Sequence, residues 1–443
     1  MNRHQVLLSA LLVVLAHGCA RESGPPNLVL ISLDTTRRDH GSVYDYGRET
    51  TPNLERLAEQ GVLFSLAYAP APTTGPSHAT LFTSLYPITH RVVKNGRVLM
   101  PAHETLAERL HAHGWATAGV VSSYVLDARF GWDQGFELWD DDFDRASATT
   151  MVPSGDGVEV FDRTADATTR RAVTWLEGER DPSRPFFLFV HYMDPHEPWV
   201  APPEFARRFR IPDVPPDGVS GLIARYDAEI AFTDHQLGEL FAALERLGLA
   251  EDTIVAVSAD HGEGLLQHGE LHHGTQLYEE QMRVPLLLRW PRRLPAGRVI
   301  DGAVSLIDLA PTLLELAGVA PDAGAGMQGR SLVPVLEGRE ALDPLLPIFL
   351  FRPSNTEIPG EQYAVRQGDW KLIRGPGEGM RELFDLARDP REREDRSAAE
   401  AARAQELEQQ LAGWLREYER ADPAPDAVSL EDLERLRALG YVP

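Results

Sequence analysis

The sequence predicts an α/β fold: a doubly wound mixed sheet with helices on both faces, followed by a small C-terminal antiparallel sheet and helix. Three observations carry this expectation. Uninterrupted apolar runs at residues 27–33, 118–122, 186–190, 253–258 and 284–288 have the length and composition of strands buried on both faces. Amphipathic stretches at 53–60, 103–113, 163–178 and 225–247 alternate with them and read as helices. After about residue 345 the texture changes to short strand-like pieces divided by Gly and Pro.

In chain order, Arg3 and His4 precede an apolar run at 6–15, too short to span a bilayer but of the length found in signal peptides. Leu15-Ala16-His17-Gly18-Cys19 resembles the lipobox of bacterial lipoproteins. Residues 1–18 are therefore expected to be a lipoprotein-type signal peptide, and Cys19 the acylated residue that ties an exported protein to the cell envelope. Cys19 is the sole cysteine, so no intramolecular disulfide can form. Residues 19–26, small, polar and Pro-containing, read as a tether. A catalytic domain is expected over 27–344 and a subdomain over 345–443. In the latter, 347–351, 363–366 and 370–374 are strand-like, and Leu407, Leu411, Trp414 and Leu415 recur at helical spacing. The acidic and Arg-rich stretch 388–400 reads as a solvated loop and helix start.

Composition narrows the function. The 443 residues carry 43 Lys plus Arg against 67 Asp plus Glu, a net charge of −24. Nucleic-acid binding is not expected, because phosphate contacts need clustered basic side chains.

Three polar clusters each directly follow a strand-like run: Asp34-Thr35-Thr36, residues 191–196, and Asp260-His261-Gly262-Glu263. Strand ends at the carboxyl edge of such a sheet gather the chemistry, and carboxylates with imidazoles collected there suit a divalent metal. A single Asp after a strand would more simply cap a helix; three clusters at one edge argue otherwise.

With these residues the chain resembles the sulfatase family of the alkaline phosphatase superfamily. The likeness runs through Leu30-Ile31-Ser32-Leu33-Asp34, Thr51-Pro52-Asn53-Leu54, Pro76-Ser77-His78-Ala79-Thr80-Leu81, Asp194-Pro195-His196, Ser258-Ala259-Asp260-His261-Gly262-Glu263 and Glu382-Leu383-Phe384-Asp385-Leu386. It implies hydrolysis of an anionic ester, whether sulfate, phosphate or phosphonate. The departure lies at the nucleophile. The family's Cys or Ser, followed by any residue, Pro, a small residue and Arg, is oxidised to formylglycine. Here the window reads Thr74-Gly75-Pro76-Ser77-His78, and threonine lacks the primary alcohol or thiol which that oxidation requires. Formylglycine is not expected. The only lysines, Lys94 and Lys371, lie outside the motifs of the family's active-site lysines, and His273 stands near the place of one of them.

Thr followed by a residue, Pro, a small residue and His is instead similar to nucleotide pyrophosphatase/phosphodiesterases, and to envelope phosphoglycerol and phosphoethanolamine transferases, whose threonine attacks phosphorus. By that likeness Asp34, Thr74, Asp260 and His261 surround one ion, and Thr74, His78, His196 and His273 form the catalytic set. Thr74 also has a simpler reading as the cap of a helix at 77–84. A histidine nitrogen among the ligands favours zinc or manganese over calcium. A second ion would draw on Asp194, His196 and His273; His191, His268 and His272 are equally readable as structural. Hydrolysis ranks first, ahead of transfer to an acceptor alcohol and of a degenerate sulfatase that only binds. Substrate reading is assigned to loops 128–160 and 200–222.

Overall fold

The computed structural model describes residues 24–418 except 150, 155–156, 211–214, 216–217, 320–325, 355–358 and 378, together with residue 435. The signal-peptide and Cys19 expectations lie outside the described residues.

The strands are β1 (Asn27–Leu33), β2 (Val62–Tyr68), β3 (Ala116–Val120), β4 (Leu138–Asp140), β5 (Met151–Ser154), β6 (Gly157–Val160), β7 (Phe186–Tyr192), β8 (Thr253–Ala259), β9 (Arg283–Val284), β10 (Leu286–Arg289), β11 (Arg298–Ser305), β12 (Ile348–Arg352), β13 (Gln362–Gln367), β14 (Trp370–Arg374) and β15 (Arg381–Asp385). The helices are α1 (Pro52–Glu59), α2 (Thr74–Thr83), α3 (Pro87–His90), α4 (Leu106–Ala112), α5 (Ala165–Thr174), α6 (Pro203–Phe209), α7 (Val219–Arg246), α8 (Glu279–Met282), α9 (Leu309–Ala317), α10 (Val333–Leu336) and α11 (Ala401–Tyr418).

The large sheet runs β11-β2-β10-β8-β1-β7-β3-β4, with β9 beside β2. It is mixed, as expected: β1 is parallel to both β7 and β8, whereas β10 is antiparallel to β8 and β2. The centre explains why these runs are apolar on both faces. Leu28, Val29, Leu30 and Ile31 of β1, residues 186–190 of β7 and Ile254, Ala256 and Val257 of β8 have no exposed surface. At about 25 cal/mol per Å² of apolar area removed from water, this double-sided burial is the main term holding the sheet.

Register decides the site. Leu33 pairs with Ala259 on one side and with Tyr192 on the other, so the chain leaves all three central strands at one edge, with Asp34 and Asp260 as direct neighbours.

The structure corrects several element expectations. The run 284–288 is two strands, because Pro285 has no N–H to donate and parts β9 from β10. Strands β2, β11 and β15 were not foreseen, nor were β4, β5 and β6, which lie in the stretch 128–160 read as a loop. The π-turn Trp175–Glu179 follows α5, ending the regular helix before residue 178. Helix α2 starts at Thr74 rather than at residue 77, and Thr73 holds the cap position without a side-chain cap bond.

The C-terminal sheet is antiparallel, β12-β13-β14-β15. It buries Tyr363, Val365, Leu372 and Leu383 against Leu407, Leu411, Trp414 and Leu415 of α11. Stretch 388–400 is more than a solvated loop. Glu392 is 2% exposed and, with Glu279, clamps the buried Lys371 ammonium at 2.9 and 3.0 Å. This ion triad joins the small sheet to the start of α8. Among the described residues, no helix is long and apolar enough to cross a membrane.

Candidate active site

The site is built from strand ends and one helix start. Asp34 follows β1 directly, and its backbone N–H donates to the Tyr192 carbonyl at 2.9 Å. Asp260 follows β8; its Oδ1 accepts the backbone N–H groups of His261 at 2.8 Å and Thr35 at 3.2 Å. Thr35 bends the chain away with φ +51. The Ser77 hydroxyl donates to the Asp260 carbonyl at 2.6 Å and so locks the first turn of α2 against the β8 end. That contact brings Thr74 to the cluster.

The His261 tautomer follows from its neighbours. Nδ1 lies 3.0 Å from the Gly262 carbonyl, which can only accept, so Nδ1 carries the proton and Nε2 presents a lone pair. Burial, with the neighbouring His273 ring, depresses its basicity well below the ordinary imidazole range and keeps it neutral. Around Nε2 stand Asp260 Oδ2 at 3.4 Å, Thr74 Oγ1 at 3.4 Å and Asp34 Oδ1 at 3.7 Å.

These residues fit a divalent ion. Both Asp34 oxygens and Asp260 Oδ2 are buried without a hydrogen bond, an arrangement that costs several kcal/mol unless a cation compensates it. Separations of 3.4 Å also match the edge of a tetrahedron of donors about 2.1 Å from a common centre. Burial raises the Asp260 carboxyl well above the carboxylate range, with the Asp34 charge adding to it. For Asp34 burial acts the same way but is outweighed by the surrounding histidines, His191 foremost, and the carboxyl lies below the ordinary range.

The other expected residues are placed as follows. The His273 ring lies tilted 4.5 Å from His261 and edge-on 5.1 Å from His196. Burial opposes its protonation, but Glu263, with Oε2 3.4 Å from Nδ1, raises its pKa above the ordinary value. His196 is 9% exposed, and burial lowers its basicity. His78, expected in the catalytic set, lies on α2 with Nδ1 3.7 Å from Asp260 Oδ2. Its Nδ1 lies 2.8 Å from the Thr74 carbonyl and its Nε2 2.9 Å from the Ser32 hydroxyl. Nδ1 is engaged within α2 and Nε2 ties that helix to β1, so both nitrogens have protein partners and the ring serves to hold α2 in place.

Asp194 does not join a second ion site with His196 and His273. It pairs with Glu229 of α7, and burial raises both carboxyl groups, Asp194 to about 6 and Glu229 well above its usual value. The folded protein therefore keeps protons here that the unfolded chain releases. Stability from the pair is full below about pH 4 and falls as pH rises through 6 and beyond. Accordingly Glu229→Gln should gain more thermal stability over the parent at pH 8 than at pH 5; equal differences in melts at the two pH values would refute the shared-proton reading.

His268 is structural: Nδ1 meets Glu280 at 2.5 Å and the ring stacks on Tyr278. His272 is half exposed beside Glu197. Asn95, missed in the sequence, fixes the neighbour of Thr74, its Oδ1 accepting the Gly75 N–H at 2.7 Å. It stands 20 residues from Gly75, in no recognisable motif, and only the fold reveals it.

A mixed α/β sheet that gathers carboxylates and imidazoles at the carboxyl ends of its strands has the layout of a metal-binding enzyme. The family model described as Sulfatase matches residues 26–319, and that for the C-terminal part of N-sulphoglucosamine sulphohydrolase matches 268–421. The chain belongs to the sulfatase family, and is thus a metal-dependent ester hydrolase. It is 26% identical over 435 residues to a sulfatase of Formosa agariphila, covering 84% of this chain and 83% of that one. It is 28% identical over 497 residues to the multifunctional alkaline phosphatase superfamily protein PehA of Trinickia caryophylli, covering 88% and 95%. The phosphonate monoester hydrolase of Agrobacterium radiobacter shares the fold, with a TM-score of 0.73 at 23% identity over 92% of this chain and 98% of that one.

Proposed function

We propose that the enzyme hydrolyses phosphorus esters in preference to sulfate esters, with Thr74 as nucleophile. The carrying observation is the Thr74 hydroxyl, 3.4 Å from His261 Nε2 in the Asp34–Asp260–His261 cluster, at a position where formylglycine cannot form. Zinc or manganese suits this mixed donor set better than calcium, and when bound supplies positive charge to the nucleophile and to the ester oxygens.

The chain's own residues do the rest. His78 and Asn95 pin the backbone on either side of the Thr74 carbonyl, so the hydroxyl is aimed with little conformational freedom. The N–H groups of Gly75 and Ser77 are already taken by Asn95 and Thr73, which leaves the α2 dipole as that helix's main contribution to anion binding. His273, biased toward its cation by Glu263, gives the leaving oxygen its proton and then takes one from the water that frees Thr74. Acid quenching during turnover of a nitrophenyl phosphodiester should yield a Thr74 peptide carrying the phosphoryl group. An aldehyde at residue 74, or labelling elsewhere, would sink the proposal. Anchoring of the exported protein through acylated Cys19 belongs to the same reading; Cys19→Ala should move the protein from the membrane fraction to the soluble one, and an unchanged distribution would refute it.

A further inference from the structure

The two cluster carboxylates are held unequally. Asp260 turns Oδ1 to two backbone N–H groups and Oδ2 to His261. Its two oxygens thus differ in role, one tied to the protein and the other facing the ion site. Asp34 shows the same division without the backbone donors. Its Oδ1 faces His261 at 3.7 Å, whereas Oδ2 faces His191 Nε2 at 3.4 Å, and no hydrogen bond of good geometry reaches either oxygen.

His191 is placed for that second oxygen by the sheet itself. It lies on β7 in register with Ser32 of β1, two residues before Asp34, and has no exposed surface. Its ring packs edge-on against His78 at 5.2 Å, and His78 is fixed by Ser32 and Thr74. Neither His191 nitrogen has a hydrogen-bond partner. A fully buried imidazole with two idle nitrogens is costly, and the Asp34 oxygen beside it has the complementary need.

We infer that His191 is the positioning residue of Asp34: its Nε2–H donates to Asp34 Oδ2, turning Oδ1 toward the ion. The inference rests on the one-ion reading of the site and is independent of which ester is cleaved. Donors of this kind behind a metal ligand set its orientation, and losing one typically weakens metal binding by about 10–100-fold.

The test compares the parent, His191→Leu and His191→Gln by zinc and manganese titration against a chelating dye, with metal content at saturation and melting of the ion-free forms. Leucine should leave one ion per chain at saturation but weaken its binding by about 10–100-fold. Glutamine, which keeps a donor, should recover most of the loss. Parent-like affinity in the leucine variant would overturn the inference. So would complete loss of the ion in both variants, which would make His191 a ligand, or equal weakening in both alongside lowered ion-free melting, which would make its role one of packing. A parent protein that binds no ion would overturn the metal reading first and this inference with it.

Discussion

Thr74→Ala should lower turnover of phosphorus esters by about 10⁴-fold while leaving the fold and the bound ion intact. The loss is expected in kcat, because the hydroxyl forms and breaks a bond rather than gripping the substrate. Thr74 has no exposed surface and its helix is held by the contacts of Ser77, His78 and Asn95, none of which uses the Thr74 side chain. Removing Oγ1 therefore disturbs little else. Thr74→Ser is the informative companion: it restores a hydroxyl at the same place and should recover most of the rate. It should not confer sulfate turnover, since His78 occupies the motif position where the family's oxidation signal has Arg. Steady-state kinetics on both variants check the pair, and an alanine variant within tenfold of the parent contradicts the role.

Chelation should abolish turnover and lower the melting temperature by several degrees, both restored by zinc or manganese. An ion that binds only the native state stabilises it by about 4 kcal/mol at a concentration 1,000 times its dissociation constant. In its absence Asp34 and Asp260 confront each other in a dry cluster, the condition that drives the Asp260 carboxyl upward. Asp260→Asn relieves that repulsion. Its ion-free form should melt no lower than the ion-free parent, yet gain nothing from added metal. Thermal melts with and without metal decide this, and an unchanged parent melting temperature after metal removal would count against an ion at this cluster.

Much of this was legible in the sequence because the physics is local. The central strands announce themselves as unbroken apolar runs since both faces are covered, and chemistry collects where such strands end; the clusters holding Asp34, Asp260 and His261 follow from that, and the family resemblance picks these residues out of them. What the sequence hid is set by distant partners. The Lys371–Glu279–Glu392 triad joins segments 92 and 113 residues apart, so stretch 388–400 reads as solvated until its partners are seen. Strand β11 is concealed by the Asp301-Gly302 irregularity that shifts its register between Ile300 and Ala303. His78 differs: one turn of helix carries its Nδ1 back to the Thr74 carbonyl, a partner that its place in the motif does not announce. His191 was visible in the 191–196 cluster but left open as structural, because only the β1–β7 register puts it beside Asp34.

The most direct measurement is kcat/KM of the zinc- or manganese-loaded enzyme on matched nitrophenyl sulfate, phosphate monoester, phosphodiester and phosphonate ester. A threonine nucleophile beside a carboxylate–imidazole ion site predicts that at least one phosphorus ester exceeds the sulfate by well over tenfold, and that this activity disappears in Thr74→Ala. Sulfate as the best substrate, with turnover surviving in the alanine variant, would contradict the account.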